Sequence, residues 1–176
     1  MKATLALHNL GQSLWLDNIT RDLLDTGTLE RYIDEFSVTG LTSNPTIFEH
    51  PISKSSAYDA DVVRLMKAGL SSEDVFFELA LQDLTRAADL FAAVHKSTAG
   101  IDGFVSLELS PLMAYDTNKS VTAAKYLHDK GNRPNLYIKI PGTSEGVPAI
   151  EESIANGIAI NVTLLFAREQ YHRALQ

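Results

Sequence analysis

The chain has 176 residues, of which 45% are hydrophobic and 21% charged, an ordinary globular composition in the size range of one domain. Its net charge of -7 and its 15 scattered Lys and Arg residues argue against nucleic acid as a partner. The absence of cysteine excludes disulfides, thiolate catalysis and Cys-ligated zinc, and no segment approaches the roughly 18 apolar residues of a membrane span. We therefore expect a cytoplasmic protein with no membrane partner.

Short apolar segments alternate with longer amphipathic ones along the whole chain. In chain order we predict strand Ser13–Asn18, helix Arg21–Glu35, strand Val38–Ser43, helices Ala57–Lys67 and Glu73–His95, strand Phe104–Leu109, helix Ser120–Lys130, strand Leu136–Ile140, helix Val147–Ala155 and strand Ala159–Leu164. Ser71 and Asp74 resemble a capping box at the start of the longest helix. Such alternation predicts a parallel sheet, because right-handed crossovers carry each helix back over the sheet.

Alternate residues of the predicted strands form two sets. One set is apolar and suits a face covered by helices: Leu14, Leu16, Val105, Leu107, Leu109, Leu136, Ile138, Ile140, Ile160, Val162 and Leu164. The other set is polar toward the carboxyl ends of the strands: Asp17, Thr42, Asn44, Ser106, Glu108, Lys139, Asn161 and Thr163. Ordinary parallel strands are apolar on both faces, whereas (β/α)8 barrels build active sites at these strand ends. We predict an α/β protein, a (β/α)8 TIM barrel of which residues 1–176 contain about the first five βα units.

Each polar residue also has a simpler interpretation. Lys139 alone could be an exposed or edge-strand lysine. Asp17 and Asn44 could each be a helix N-cap or an Asx-turn residue, and Glu108 a solvated carboxylate at a strand end. The agreement of five strands favours a functional site.

The polar set suits chemistry at a ketone. A neutral lysine at position 139 could form an iminium, which serves as an electron sink for cleavage of a neighbouring carbon-carbon bond. Asp17 is the candidate acid/base, and Glu108 with Thr163 would handle the water lost and regained at the imine. Asn44 and Asn161 suit the hydroxyls of a sugar. We predict no metal and no cofactor, because the five histidines show no HxH or HExxH spacing and no Gly-rich phosphate loop occurs.

Five segments together resemble the strand motifs of transaldolases, in the same order: SLWLDNI, TGLTSNPTIF, VSLELSP, LYIKIPGT and INVTLLF. The resemblance implies a metal-free enzyme of the non-oxidative pentose phosphate pathway that transfers a dihydroxyacetone unit between sugar phosphates. It implies Lys139 as the Schiff-base lysine, Asp17 as acid/base, Glu108 and Thr163 as the water-handling pair, and Asn44 and Asn161 as hydroxyl-binding residues. Thr42, at the same strand end as Asn44, is expected to line the site.

The chain is shorter than the roughly 250 residues of a typical barrel of this class. We expect a fragment of a longer protein, and the alternative is a chain that borrows strands from a partner. Two open sheet edges would favour association, including a homo-oligomer. Two other functions stay open: a short fructose 6-phosphate aldolase, and a non-catalytic half-barrel that serves as an assembly module.

Overall fold

The computed structural model describes residues 2–175, and within them it contains nine α-helices and five β-strands. In chain order these are α1 Ala3–Asn9, β1 Leu14–Asp17, α2 Arg21–Asp25, α3 Thr28–Phe36, β2 Val38–Thr42, α4 Pro45–Lys54, α5 Asp59–Lys67, α6 Ser72–Ser97, β3 Phe104–Glu108, α7 Thr117–Gly131, β4 Leu136–Pro141, α8 Gly146–Ala155, β5 Ile160–Thr163 and α9 Arg168–Ala174. All five predicted strands are present, within two residues of their predicted ends. The chain divides into two compact units, Met1–Val105 and Ser106–Gln176.

In the first unit, β1 pairs in parallel with β2, and the register places Asp17 opposite Thr42. The two strands approach closely around Trp15, whose indole lies against Gly40. A Cβ at Gly40 would stand 2.4 Å from Cε2 of that ring, so only glycine leaves room for it. Behind these strands, the long helix α6 buries Leu79, Leu84 and Phe91 completely.

The helices of the first unit depart from the predictions in three places. The predicted helix Arg21–Glu35 is two helices, α2 and α3, because Gly27 between them adopts a left-handed φ of +70° that ends the helical path. Helix α1 escaped prediction because it buries no residue and so lacks an apolar stripe. Helix α4 was not predicted either, and Pro45 occupies its first helical position, where the missing N–H of proline is not needed.

The start of α6 confirms the predicted cap at Ser71. The Ser71 hydroxyl oxygen accepts a hydrogen bond from the Asp74 backbone N–H at 3.1 Å. The same hydroxyl donates to Asp74 Oδ2 at 2.6 Å, so the aspartate side chain binds the cap's hydroxyl rather than its backbone. This pair satisfies one of the four N–H groups that a helix start leaves without intrahelical partners.

In the second unit, β4 pairs in parallel with β5, and the apolar set of strand residues is buried as predicted in β3 and β4. Leu107, Leu136, Ile138 and Ile140 are each at most 2% exposed. Leu164 is a wrong prediction: it follows β5, adopts a left-handed φ of +58° and is 51% exposed. The chain leaves the strand at Thr163, one residue earlier than the pattern indicated.

Strand order in the sheet equals chain order, β1-β2-β3-β4-β5, and at least one helix separates each strand from the next. This connectivity is that of the first five βα units of a (β/α)8 barrel and confirms the predicted fold class. No helix within residues 2–175 combines the length and apolarity needed to span a membrane.

Candidate active site

Lys139 lies on β4 and is only 9% exposed, so the interpretation of Lys139 as an exposed surface lysine is wrong. Its Nζ is 3.0 Å from Oε2 of Glu108, whose side chain is 24% exposed at the end of β3. The backbone holds the two strands together here, because the N–H of Leu109 donates to the carbonyl of Lys139 at 3.2 Å. The structure therefore brings together the lysine and the carboxylate that the sequence placed on one face.

Asn161 joins this pair from β5, where it is the register partner of Lys139. Its Nδ2 donates a hydrogen bond to Oγ of Ser106 at 3.1 Å. Ser106 is fully buried on β3, so the bond links β3 to β5 on the face of β4 that carries Lys139. Fixing the amide nitrogen in this way leaves the Asn161 carbonyl oxygen as the group that can accept from another donor.

Ser106 was given no role from the sequence alone. It belongs to the polar set of strand residues, but a single buried serine in a strand carries no signal of its role. Because Ser106 lies two residues before Glu108 in the strand, both side chains are expected on the same face of the sheet.

Thr163 is the last residue of β5 and pairs in register with Pro141. Its backbone carbonyl accepts from the N–H of Gly142 at 2.7 Å, which ties the ends of β4 and β5 together. Its Oγ1 is buried and has no hydrogen-bond partner among the described residues. A buried hydroxyl without a partner costs free energy, which a bound water or substrate group would offset.

In the first unit, Asp17 ends β1 beside Thr42 and is exposed. The structure distinguishes the helix-cap interpretations of Asp17 and Asn44. Asn44 is the N-cap of α4, since its Oδ1 accepts from the N–H of Ile47 at 2.9 Å. Asp17 is not a cap, because α2 is capped by Thr20, whose hydroxyl accepts from the N–H of Leu23 at 3.1 Å.

The cap at Asn44 does not use its amide nitrogen, which can still donate to a sugar hydroxyl. The Asp17 carboxylate makes no hydrogen bond or ion pair with any described residue, so its oxygens are available as proton acceptors. No group of three or more His, Asp or Glu side chains suited to a metal ion occurs within residues 2–175. The functional groups on these strands are thus one amine, two carboxylates, two amides and two threonine hydroxyls.

A family model and several curated proteins are similar to this chain. A family model described as "Transaldolase/Fructose-6-phosphate aldolase" matches residues 14–176. A transaldolase of Arthrobacter sp. (strain FB24) is 43% identical over 172 residues, which is 98% of this chain and 46% of that protein. A transaldolase of Thiobacillus denitrificans is 45% identical over 170 residues, covering 97% of this chain and 47% of that protein. The chain spans about half the length of the curated relatives that it matches.

Proposed function

Because the chain belongs to the transaldolase/fructose-6-phosphate aldolase family, we propose that it carries the Schiff-base machinery of a transaldolase. The reaction transfers a dihydroxyacetone unit from sedoheptulose 7-phosphate to glyceraldehyde 3-phosphate and yields erythrose 4-phosphate and fructose 6-phosphate. It belongs to the non-oxidative pentose phosphate pathway in the cytoplasm. The observation that carries this proposal is the 3.0 Å contact between the buried Lys139 amine and Glu108.

The first step is the formation of an imine on Lys139. Its ammonium passes one proton to Glu108 Oε2, and the freed lone pair of Nζ attacks the ketone carbon at C2. The carbonyl oxygen takes a second proton from Nζ and becomes a hydroxyl, which then takes up a further proton and leaves as water while the C2–N bond becomes an iminium. Glu108 supplies that proton, and the Thr163 hydroxyl holds the departing water.

The second step is cleavage of the C3–C4 bond. Asp17 takes the proton from the C4 hydroxyl, the C4–O bond becomes an aldehyde, and the C3–C4 electron pair forms the C2–C3 double bond of an enamine. The iminium electrons move onto the lysine nitrogen, so no external electron acceptor is needed. Addition of the enamine to the second aldehyde reverses these steps, and Asp17 returns the proton.

The amides bind the sugar hydroxyls. Asn161 offers its carbonyl oxygen, since its nitrogen is held by Ser106, and Asn44 offers its nitrogen, since its oxygen caps α4. Thr42 lies next to Asp17 in the register and lines the same strand end. A donor and an acceptor fixed in this way would orient a polyol chain for cleavage.

Borohydride trapping with two probes tests the proposal. A dihydroxyacetone adduct needs only imine formation, whereas a three-carbon adduct from fructose 6-phosphate needs imine formation and cleavage. We expect peptide mass spectrometry to find a reduced adduct on Lys139 with both probes. Lys139→Ala should abolish the adduct, and Lys125→Ala, an exposed lysine on α7, should leave it unchanged. A folded chain that gives no Lys139 adduct with either probe would contradict the proposal.

The second name in the family description favours one alternative, a fructose 6-phosphate aldolase. In that reaction the enamine is protonated and hydrolysed instead of being passed to an acceptor sugar. The two activities differ in their dependence on the acceptor aldehyde. Continuous release of dihydroxyacetone from fructose 6-phosphate without acceptor would indicate the aldolase, and turnover only with erythrose 4-phosphate would indicate the transaldolase.

A further inference from the structure

A buried ionic network lies immediately after the strand that carries Asp17. Arg21 begins α2 and is only 9% exposed, and Asp83 on α6 is fully buried. Arg21 Nε donates to Asp83 Oδ1 at 3.1 Å, and its Nη1 donates to Asp61 Oδ2 at 2.8 Å. Nη1 also donates to the carbonyl of Ala57 at 3.1 Å. One guanidinium thus connects three segments of the first unit.

Tyr58 ties the backbone of α2 into this network. The Tyr58 hydroxyl donates to Asp83 Oδ2 at 2.7 Å and accepts from the backbone N–H of Arg21 at 2.9 Å. The guanidinium lies 4.3 Å from the centre of the Tyr58 ring, and the tyrosine is 1% exposed. The position of the Arg21 backbone therefore depends on a buried hydroxyl that is itself oriented by Asp83.

Burial accounts for the direction of the pKa shifts in this network. Burial raises the pKa of Asp83, against the hydrogen bonds from Tyr58 and the charge of Arg21. It also raises the pKa of Tyr58, with the hydrogen bond to Asp83 acting in the same direction. Buried ionic groups of this kind are weak evidence for stability, because their desolvation offsets much of their attraction. A role in fixing geometry is the better explanation for their presence.

The residue that this network can position is Asp17. Its carboxylate has no hydrogen-bond or ion-pair partner among the described residues, so only the backbone on either side determines its place. On the amino side, β1 is held by its pairing with β2. On the carboxyl side, the first fixed points after Asp17 are the fully buried Ile19 and the Arg21 N–H bonded to Tyr58.

We propose that Tyr58, Asp83 and Arg21 are positioning residues that hold the turn after β1 and thereby aim the Asp17 carboxylate for the cleavage step. This inference rests on the proposed role of Asp17. None of the three touches the reacting atoms; they act through the backbone between Asp17 and Arg21. Their loss should therefore slow cleavage without slowing imine formation on Lys139.

Tyr58→Phe is the variant that tests this inference, because it removes only the bridging hydroxyl and keeps the ring. Val75→Ala is the matched control: Val75 belongs to the same buried cluster as Tyr58 but contributes apolar packing alone. We expect both variants to form the dihydroxyacetone adduct on Lys139 at the parent rate. Release of glyceraldehyde 3-phosphate from fructose 6-phosphate should fall at least about tenfold in Tyr58→Phe only, as expected for a misplaced catalytic group.

Hydrogen exchange provides a readout that does not need activity. The Arg21 amide should exchange about tenfold or more faster in Tyr58→Phe than in the parent and stay unchanged in Val75→Ala. An unchanged Arg21 amide would overturn the inference, as would an equal fall of the cleavage rate in both variants. If the parent forms no Lys139 adduct, the proposed function itself is wrong, whereas a parent adduct with unaltered cleavage in Tyr58→Phe contradicts only the positioning role.

Discussion

Nζ of Lys139 and Oε2 of Glu108 stand 3.0 Å apart on neighbouring strands, in a pair whose lysine is almost completely buried. An amine can attack a carbonyl only after it has lost a proton, and the Glu108 carboxylate lies within reach of the Lys139 amine to accept it. This contact with a carboxylate, together with burial, distinguishes Lys139 from the surface lysines.

Glu108→Gln should slow imine formation on Lys139 by about 10²-fold, because the amide keeps the shape of the side chain but is a very weak proton acceptor. The rate is measured from the growth of the dihydroxyacetone adduct under borohydride. Glu151→Gln, at an exposed position on α8, serves as the charge-matched control and should react at the parent rate. Equal rates in Glu108→Gln and the parent would remove Glu108 from the proton path.

The cap on α4 allows the capping role of Asn44 to be separated from its proposed role in sugar binding. Asn44→Asp keeps the oxygen that accepts from Ile47, whereas Asn44→Ala removes it. We expect Asn44→Ala to lower the free energy of unfolding by about 1 kcal/mol and Asn44→Asp to change it by less than about 0.5 kcal/mol. Both variants lose the amide donor, so both should raise KM for fructose 6-phosphate.

Ser71→Ala is the control for this comparison, because it removes a cap of the same kind from α6. It should lose stability as Asn44→Ala does while its KM stays at the parent value. A normal KM in Asn44→Asp would mean that Asn44 caps α4 and does nothing for the sugar.

Strand parity was sufficient to predict which polar side chains share one face of the sheet, but not how they interact. The period of two placed Lys139 and Glu108 on one side of the sheet, and the structure confirms their contact. It could not predict that Asn161 bonds to Ser106, since that partner lies 55 residues away in sequence. The predicted helix boundaries were wrong where a single residue ends a helix, as at Gly27. The amphipathic periodicity continues across the two-residue break there, so it does not reveal the boundary.

The network around Arg21 was beyond sequence analysis for a similar reason. Its hydrogen-bonded partners are separated by 25 to 62 residues, and no local spacing connects them. A buried arginine and a buried aspartate each resemble ordinary helix-surface residues until the helices are packed together.

The contact between Trp15 and Gly40 predicts a steric clash on substitution. Gly40→Ala would place a Cβ 2.4 Å from the indole, and because the ring is rigid one of the two strands has to shift. We expect a loss of about 2 kcal/mol in the free energy of unfolding, as for other overpacked positions. Urea unfolding checks this, and Trp15, the only tryptophan in the chain, provides the fluorescence signal.

A double-mutant cycle isolates the clash. In a Trp15→Leu background, followed by circular dichroism because the tryptophan is gone, Gly40→Ala should cost less than about 0.5 kcal/mol. The same loss in both backgrounds would mean that the strand backbone, not the indole, requires glycine at position 40.

Asp61 gives a prediction about pH. Its pKa is lowered mainly by the hydrogen bond from Arg64, and Arg21 adds to the effect while partial burial opposes it. Since the folded state favours the ionised carboxylate, this group stabilises the fold above the ordinary aspartate pKa of about 3.9. The contribution is then lost as the pH falls through the lower pKa of the folded state.

Asp61→Asn should therefore lower the free energy of unfolding by about 1 kcal/mol at neutral pH, because two charged hydrogen bonds are weakened. The difference from the parent should shrink steadily as the pH falls below about 4, where the parent carboxylate also becomes neutral. Urea unfolding at a series of pH values from neutral to acidic measures this difference in stability. Asp34→Asn, at an exposed position on α3, is the control, and its effect should stay small at every pH. If Asp61→Asn remains less stable than the parent at acidic pH, the asparagine disturbs the packing around Arg21 and the charge of Asp61 is not the cause.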